Sequence, residues 1–222
     1  MVLKTFATNI TMQTNSTASG YSRLLVKSKA LLAVAMTIFV VGAQSQTLAM
    51  KYDTKNHPKA KGVWATIRYP SGWEVKEGER PNIVQKFSGD YNGMFMVLSL
   101  QIVDAGGAVE KECKDMGKKE FAETFSDESI KQFAGNVQKT SHENKPAFIY
   151  EVQQKAERAG MSFNFSHKVM TVCYKNTMIS AWCSPSLFDK AKNTITSSLQ
   201  QVNAAQPLCF QYFNSLVLMD SY

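Results

Sequence analysis

Residues 63–75 read Val-Trp-Ala-Thr-Ile-Arg-Tyr-Pro-Ser-Gly-Trp-Glu-Val, and the fold is read outward from them. Apolar and polar side chains alternate from Val63 to Tyr69, the period of a strand with one buried face. Pro70-Ser71-Gly72 is turn chemistry: proline presets φ and glycine accepts positive φ. Trp73 to Lys76 resumes as a second strand and ends at Glu77-Gly78. By the same alternation Trp64 shares a face with Arg68, which leaves Arg68 free to reach an acidic partner at the sheet edge.

Downstream, Asn82 to Ser88 follows Pro81 and reads as a third strand. Gly89-Asp90-Tyr91-Asn92-Gly93 is a turn cluster. Met94 to Asp104 is apolar on both parities, which predicts a central strand buried on both faces. Gly106-Gly107 breaks the pattern. Ala108 to Phe125 is charged and helix-forming, with Cys113, Gly117, Phe121 and Phe125 as its inward stripe. Ser126 caps a second short helix that ends at Gly135-Asn136. Val137 to Thr140 and Ala147 to Gln153 read as strands around a turn at Asn144-Lys145-Pro146.

Met161 to Tyr174 alternates and Thr177 to Cys183 returns, so Lys175-Asn176 forms the turn of a hairpin. That centre pairs Cys173 with Met178, Thr171 with Ser180 and Val169 with Trp182, and sets Cys183 opposite Lys168. Cys173 and Cys183 are then five rungs apart, roughly 16 Å, on opposite faces. A disulfide needs Cα atoms within about 7 Å, so these two do not pair. A bond from Cys113 to either one stays open, and the pairing of the four cysteines is left unassigned. No Cys-x-x-Cys is present, which excludes a zinc ribbon and a thioredoxin-type motif.

Ser184-Pro185-Ser186 is expected to open a final helix, with Phe188, Ala191, Ile195, Leu199 and Val202 on one face and a capping-box spacing at Ser186 and Asp189. Residues 204–222 are an apolar, aromatic tail, read as a strand or coil lying on the body. The order of elements predicts an α+β fold: an α/β/α sandwich with a central, mostly antiparallel sheet covered by helices on both faces.

Toward the N-terminus, residues 50–62 are polar and read as a linker or flexible lead-in. Before them, Lys27 and Lys29 precede an apolar run from Ala30 to Gly42, shorter than the about 20 residues of a membrane span. Small residues follow, at Ala43 and Ser45 and again at Thr47 and Ala49. This is the pattern of a cleavable signal peptide over 23–49, which predicts an exported protein, periplasmic or secreted, with no stable membrane anchor after cleavage. Residues 1–22 are rich in Thr, Ser and Asn and read as disordered. The domain proper is 63–203. The 222-residue chain carries a net charge of +7. Lys4, Arg23, Lys27 and Lys29 precede Met50 with no acidic residue; without them 21 basic residues face 18 acidic ones, a net +3. The body has no basic patch interleaved with aromatics, so nucleic-acid binding is not expected.

A strand ending in Tyr69-Pro70-Ser71-Gly72-Trp73, a following strand, a strand containing Phe87, then Gly93 and a long apolar strand resemble the start of the PsbP-like fold. The closing half is similar too: a long hairpin from Met161 to Cys183, then Thr196-Ser197-Ser198-Leu199, like the family's last helix. The resemblance spans Val63 to Val202. That family takes in the PsbP proteins of photosystem II, the Mog-type Ran-binding proteins and many bacterial exported proteins. The resemblance implies a role in binding or assembly rather than catalysis, with a protein partner whose identity differs between members. The chain has no lipid-attachment cysteine near the leader, a departure from the many bacterial members that are lipoproteins. No feature points to a photosynthetic role.

No catalytic or phosphate-binding motif is present: neither Gly-x-Ser-x-Gly nor a glycine-rich loop after a strand. His57, His142 and His167 show no metal-ligand spacing, and no cofactor is expected. Glu110, Glu112 and Asp115 intermingle with Lys111, Lys114, Lys118 and Lys119, the pattern of a solvated helix face. Trp64, Arg68, Tyr69, Trp73 and Trp182 are the candidate binding residues, because aromatics shape contact surfaces. The sequence thus predicts a non-catalytic exported binding or assembly factor using a sheet face or edge. The alternative is an exported enzyme, such as a hydrolase, with His142, His167 and a carboxylate brought into one cleft.

Overall fold

The computed structural model describes residues 47–124, 136–158, 161–189 and 194–219. The expected disordered segment, nearly all of the signal peptide and the helix capped by Ser126 lie outside them.

Two antiparallel sheets dominate. The smaller has the order β1-β2-β11, from β1 (Met50–Asp53), β2 (Ala65–Tyr69) and β11 (Val217–Leu218). The larger is built from β3 (Glu74–Glu77), β4 (Ile83–Tyr91), β5 (Met94–Asp104), β6 (Gln138–His142), β7 (Lys145–Arg158), β8 (Met161–Tyr174) and β9 (Thr177–Asp189). Its order is β3-β4-β5-β9-β8-β7-β6, with β10 (Thr194–Thr196) paired to β9. The turn at Pro70–Gly72 therefore does not close a hairpin. It carries the chain from the small sheet to one edge of the large one, with Gly72 at φ 76°.

The helices are short: α1 (Val109–Asp115), α2 (Lys118–Thr124), α3 (Leu199–Ala204) and α4 (Gln206–Asn214). This overturns the expected α/β/α sandwich. The molecule is sheet-dominated, and among the described residues no continuous helical layer covers either face of the large sheet. Two local reasons account for the difference. The stripe Phe188, Ile195, Leu199 and Val202 fits a helical period. Yet β9 keeps pairing with β5 as far as Ser186 opposite Phe95, and β10 then folds back on Leu187–Asp189. The helix begins only at Ser198, whose side chain and that of Gln201 form the capping box instead of Ser186 and Asp189. In the other helical stretch Met116 takes extended φ/ψ, so Gly117 separates two helices rather than lying on one stripe.

The large sheet has two cores. One face packs Met96, Leu98, Leu100 and Ile102 of β5 and Ile179 and Ala181 of β9 against Ile67, Leu208, Tyr212 and Phe213. The small sheet and α4 supply that cover. Pro207 sits in the first turn of α4, where its missing N–H costs nothing. Of the tail expected as strand or coil, Gln206–Asn214 form this helix and Val217–Leu218 the strand β11. The other face packs Phe148, Tyr150, Val152 and Val169 against Val109, Phe121 and Ala122 of α1 and α2. Each fully buried aliphatic or aromatic side chain contributes about 1.5–3 kcal/mol relative to exposure. β5 is central as expected, but only one of its faces is sealed: Phe95 and Val103 on the other are 52% and 41% exposed.

The hairpin from β8 to β9 has the expected register, with Cys173 opposite Met178 and Lys168 opposite Cys183. Its two cysteines form separate disulfides on opposite faces. Cys113 of α1 bonds Cys173, and Cys183 bonds Cys209 of α4, with Cα atoms 6.4 and 5.6 Å apart. Residues 50–62, read as a flexible lead-in, contain β1 and a 3-10 turn at Pro58–Ala60. The buried Thr54 ties them to the start of β2: its hydroxyl donates to Val63 O and accepts from Ala65 N, both at 2.8 Å.

Candidate functional site

The sequence-based candidates fall in three separate places. Trp64 donates from Nε1 to Asp53 at 3.0 Å, with Lys55 4.4 Å over its ring, so it fastens β1 to β2. Arg68 is exposed on β2, and its backbone amide donates to Ser215 Oγ at 2.9 Å. Tyr69 stacks on Phe87 at 4.2 Å, and Trp73 is buried in the same core against Gly89. Trp182 lies on the opposite face of the large sheet, 5.3 Å from His167.

The histidines do not meet either. His142 closes the turn between β6 and β7 opposite Lys145, whereas His167 lies opposite Val152. Seven residues of β7 separate those positions, about 23 Å. His142 Nε2 donates to Leu216 O at 2.8 Å on the small-sheet side. His57 Nδ1 accepts from Lys59 N as the cap of the 3-10 turn. His167 Nδ1 lies 2.7 Å from Ser184 Oγ, but among the described residues its Nε2 has no partner and no carboxylate orients the ring. Burial lowers its pKa to about 4, which makes it a poor general base at neutral pH. Among the described residues no group of His, Cys, Asp and Glu is arranged to hold a metal, and no helix is long and apolar enough to cross a membrane.

A different site is built where three chain reversals converge at one end of the large sheet. The loop after β5 turns at Gly106 and Gly107, the β6–β7 turn at Glu143 and Asn144, and the β8–β9 turn at Lys175, all with positive φ. These turns are stitched together. Ala105 N donates to Asn176 O at 3.0 Å and Glu110 N to Lys175 O at 3.1 Å. Asn176 Nδ2 donates to Asp104 at 3.3 Å. The Cys113–Cys173 bond fixes α1 beside them.

Between α1, β6 and the turns lies a cleft of about 830 Å³. Its walls carry Lys111 and Lys114 from α1, Lys139, Thr140 and Ser141 from β6, Lys145 and Pro146 from β7, and Lys175 and Asn176 from the β8–β9 turn. Among the described residues Glu110 is the only acidic one in the lining. It pairs with Lys145 at 3.0 Å and accepts the amide of Lys175 at 2.9 Å. Lys139 Nζ donates to the carbonyls of Lys114 and Met116 at 2.6 and 2.7 Å, satisfying the C-terminal end of α1. The exposed ammonium groups of Lys111 and Lys114 have no acidic partner among the described residues.

Five lysines facing one carboxylate give the cleft a positive potential. Its described lining holds no histidine or thiol. Such a lining can bind an anion, by charge and by hydroxyl and amide donors. Sequence reading missed it because Lys111 and Lys114 look like a solvated helix face, and Lys139, Lys145 and Lys175 are brought to them only by the turns.

No protein-family model and no curated protein matches the chain by sequence. Among solved structures, that of cyanobacterial PsbP (CyanoP) from Synechocystis sp. PCC 6803 matches with a TM-score of 0.41 at 14% identity, over 80% of this chain and 95% of that one.

Proposed function

We propose that this chain is an exported, non-catalytic binding or assembly factor that docks an anionic partner in the lysine-lined cleft. The observation that carries the reading is the convergence of lysines from two strands, a helix and a turn on one cleft with a single carboxylate among its described residues. The leader from Lys27 to Ala49 supports export. The pairing of all four cysteines suits an oxidising compartment. The separation of His142 from His167 removes the acid–base pair on which the hydrolase alternative rested.

A photo-crosslinking amino acid placed at Asn176, on the cleft rim, tests the reading in cells producing the full chain. Adducts are expected there and not at Phe188, which is exposed elsewhere on the sheet. Adding Lys111→Glu and Lys114→Glu is expected to abolish them. Adducts of equal yield at both positions, or adducts indifferent to charge reversal, would sink the proposal.

A further inference from the structure

β6 is an outer strand of the large sheet, with β7 on one side and no strand on the other among the described residues. Its register shows which backbone groups face outward. The two-residue turn Glu143–Asn144, both at positive φ, closes on the bonded pair His142–Lys145. In an antiparallel ladder bonded and non-bonded pairs alternate. Ser141 therefore falls opposite Pro146 in a non-bonded pair, which suits a proline with no N–H to give. Thr140–Ala147 and Gln138–Ile149 are bonded pairs. Lys139 and Ser141 thus point their N–H and C=O groups away from the sheet, and both residues are exposed.

The two outer strands differ in how they are protected. β3 is exposed throughout and carries Glu74, Lys76 and Glu77, a charged edge that discourages pairing. β6 lacks that protection. The ammonium of its lysine, Lys139, is drawn over to the carbonyls of α1. What remains along the edge is Gln138, Thr140 and Ser141, with outward backbone groups that no described residue pairs, beside Lys111 and Lys114.

We infer that the cleft takes an extended acidic peptide segment, which adds to β6 as a new outer strand and sets its carboxylates against Lys111 and Lys114. The inference rests on the anion-docking reading above and names its partner class. Same-face residues of a strand lie about 6.6–7 Å apart. Lys111 and Lys114 are three residues apart on α1, about 4.5 Å along its axis, and their long side chains span the difference. The backbone ladder gives affinity and the alternate side chains give selectivity. A free phosphate or a flexible polyanion would engage only the lysines.

The probe is a capped octapeptide of alternating Glu and Val, titrated into the ¹⁵N-labelled full chain. Two further versions carry N-methyl groups at every second residue, one in each phase. The unmodified peptide is expected to shift the amide resonances of Lys139 and Ser141. One N-methylated phase is expected to lose about ten-fold or more in affinity, because each blocked N–H leaves a ladder acceptor unmet. Ser141→Pro, which removes an outward N–H without touching the β6–β7 ladder, is expected to cause a similar loss while keeping the melting curve. Equal binding by both methylated phases would overturn strand addition and leave the anion cleft standing. Competition by inorganic phosphate at equal concentration would overturn peptide selectivity. Binding that survives Lys111→Glu and Lys114→Glu would overturn the cleft as the site, and absence of binding would overturn both readings.

Discussion

Glu110 of α1 and Lys145 of β7 meet at 3.0 Å, carboxylate to ammonium, and the other carboxylate oxygen accepts the backbone amide of Lys175 at 2.9 Å. One side chain thus holds a helix to two turns. Burial pushes the carboxyl pKa of Glu110 up, but the amide of Lys175 and the bond and charge of Lys145 outweigh it, and the net direction is down from 4.5. A depressed carboxyl stabilises the fold above its unfolded pKa, and that contribution is lost as pH falls through the folded value. Glu110→Gln is therefore expected to lower stability at pH 7 by about 1 kcal/mol or less, since the group is partly exposed. The difference from wild type should shrink below pH 4.5. Thermal melts at pH 7 and pH 3 check this, and an equal offset at both would contradict it.

The two disulfides close loops that do not overlap, with sequence separations of 60 and 26. Loop-closure entropy assigns about 4 kcal/mol to Cys113–Cys173 and about 3.5 kcal/mol to Cys183–Cys209. Both double alanine variants should therefore unfold at clearly lower denaturant. Their effects on the cleft should differ. Cys113–Cys173 anchors the helix that carries Lys111 and Lys114, whereas Cys183–Cys209 anchors α4 on the opposite face. Loss of acidic-peptide binding is expected in the folded Cys113→Ala/Cys173→Ala variant alone, measured by fluorescence anisotropy under conditions where both variants are folded.

The hairpin from Met161 to Cys183 was legible to the rung, because its side chains alternate and a two-residue turn at Lys175-Asn176 fixes the register. The stretch after it was not. Phe188, Ile195, Leu199 and Val202 satisfy a helical stripe, yet Ser184 to Asp189 also suits a strand, and pairing with Phe95 across the sheet decided for the strand. The tail was apolar at too many positions for a period to show. Its helix is held by Cys209 and by burial of Leu208, Tyr212 and Phe213, contacts that no local pattern announces. The cleft was illegible for a similar reason. Its lysines belong to a helix, a pair of strands and a turn, and each has an unremarkable surface reading until the three reversals converge.

Trp73 was expected as a possible contact residue, and its position instead explains Gly89. A Cβ at residue 89 would press into the indole of Trp73, which is 8% exposed. Gly89→Ala must displace that ring, and overpacking of this kind costs about 1–3 kcal/mol. Trp73→Phe should restore much of the loss in the double variant, because the smaller ring vacates the space. Chemical denaturation of the two single variants and the double checks this. Additive losses would mean that the glycine serves the backbone of β4 rather than the indole.

His167 predicts the sign of a pH dependence. Its ring is buried beside Trp182, with Nε2 unpartnered and a pKa lowered from 6.5 to about 4 by desolvation. Between those values the unfolded chain binds the proton and the folded chain does not. Stability therefore rises with pH across that window; the contribution is complete above 6.5 and fades as pH falls toward 4. The full span corresponds to about 3 kcal/mol. His167→Phe removes the titrating group and the unpartnered nitrogen and forfeits the bond to Ser184. It is expected to change stability at pH 7 by about 1 kcal/mol and to become relatively more stable than wild type as pH falls. Urea midpoints measured for both proteins from pH 7 to pH 4 check this. The difference between them isolates His167 from His57 and His142, and parallel curves would show that the imidazole protonates in the folded state without penalty.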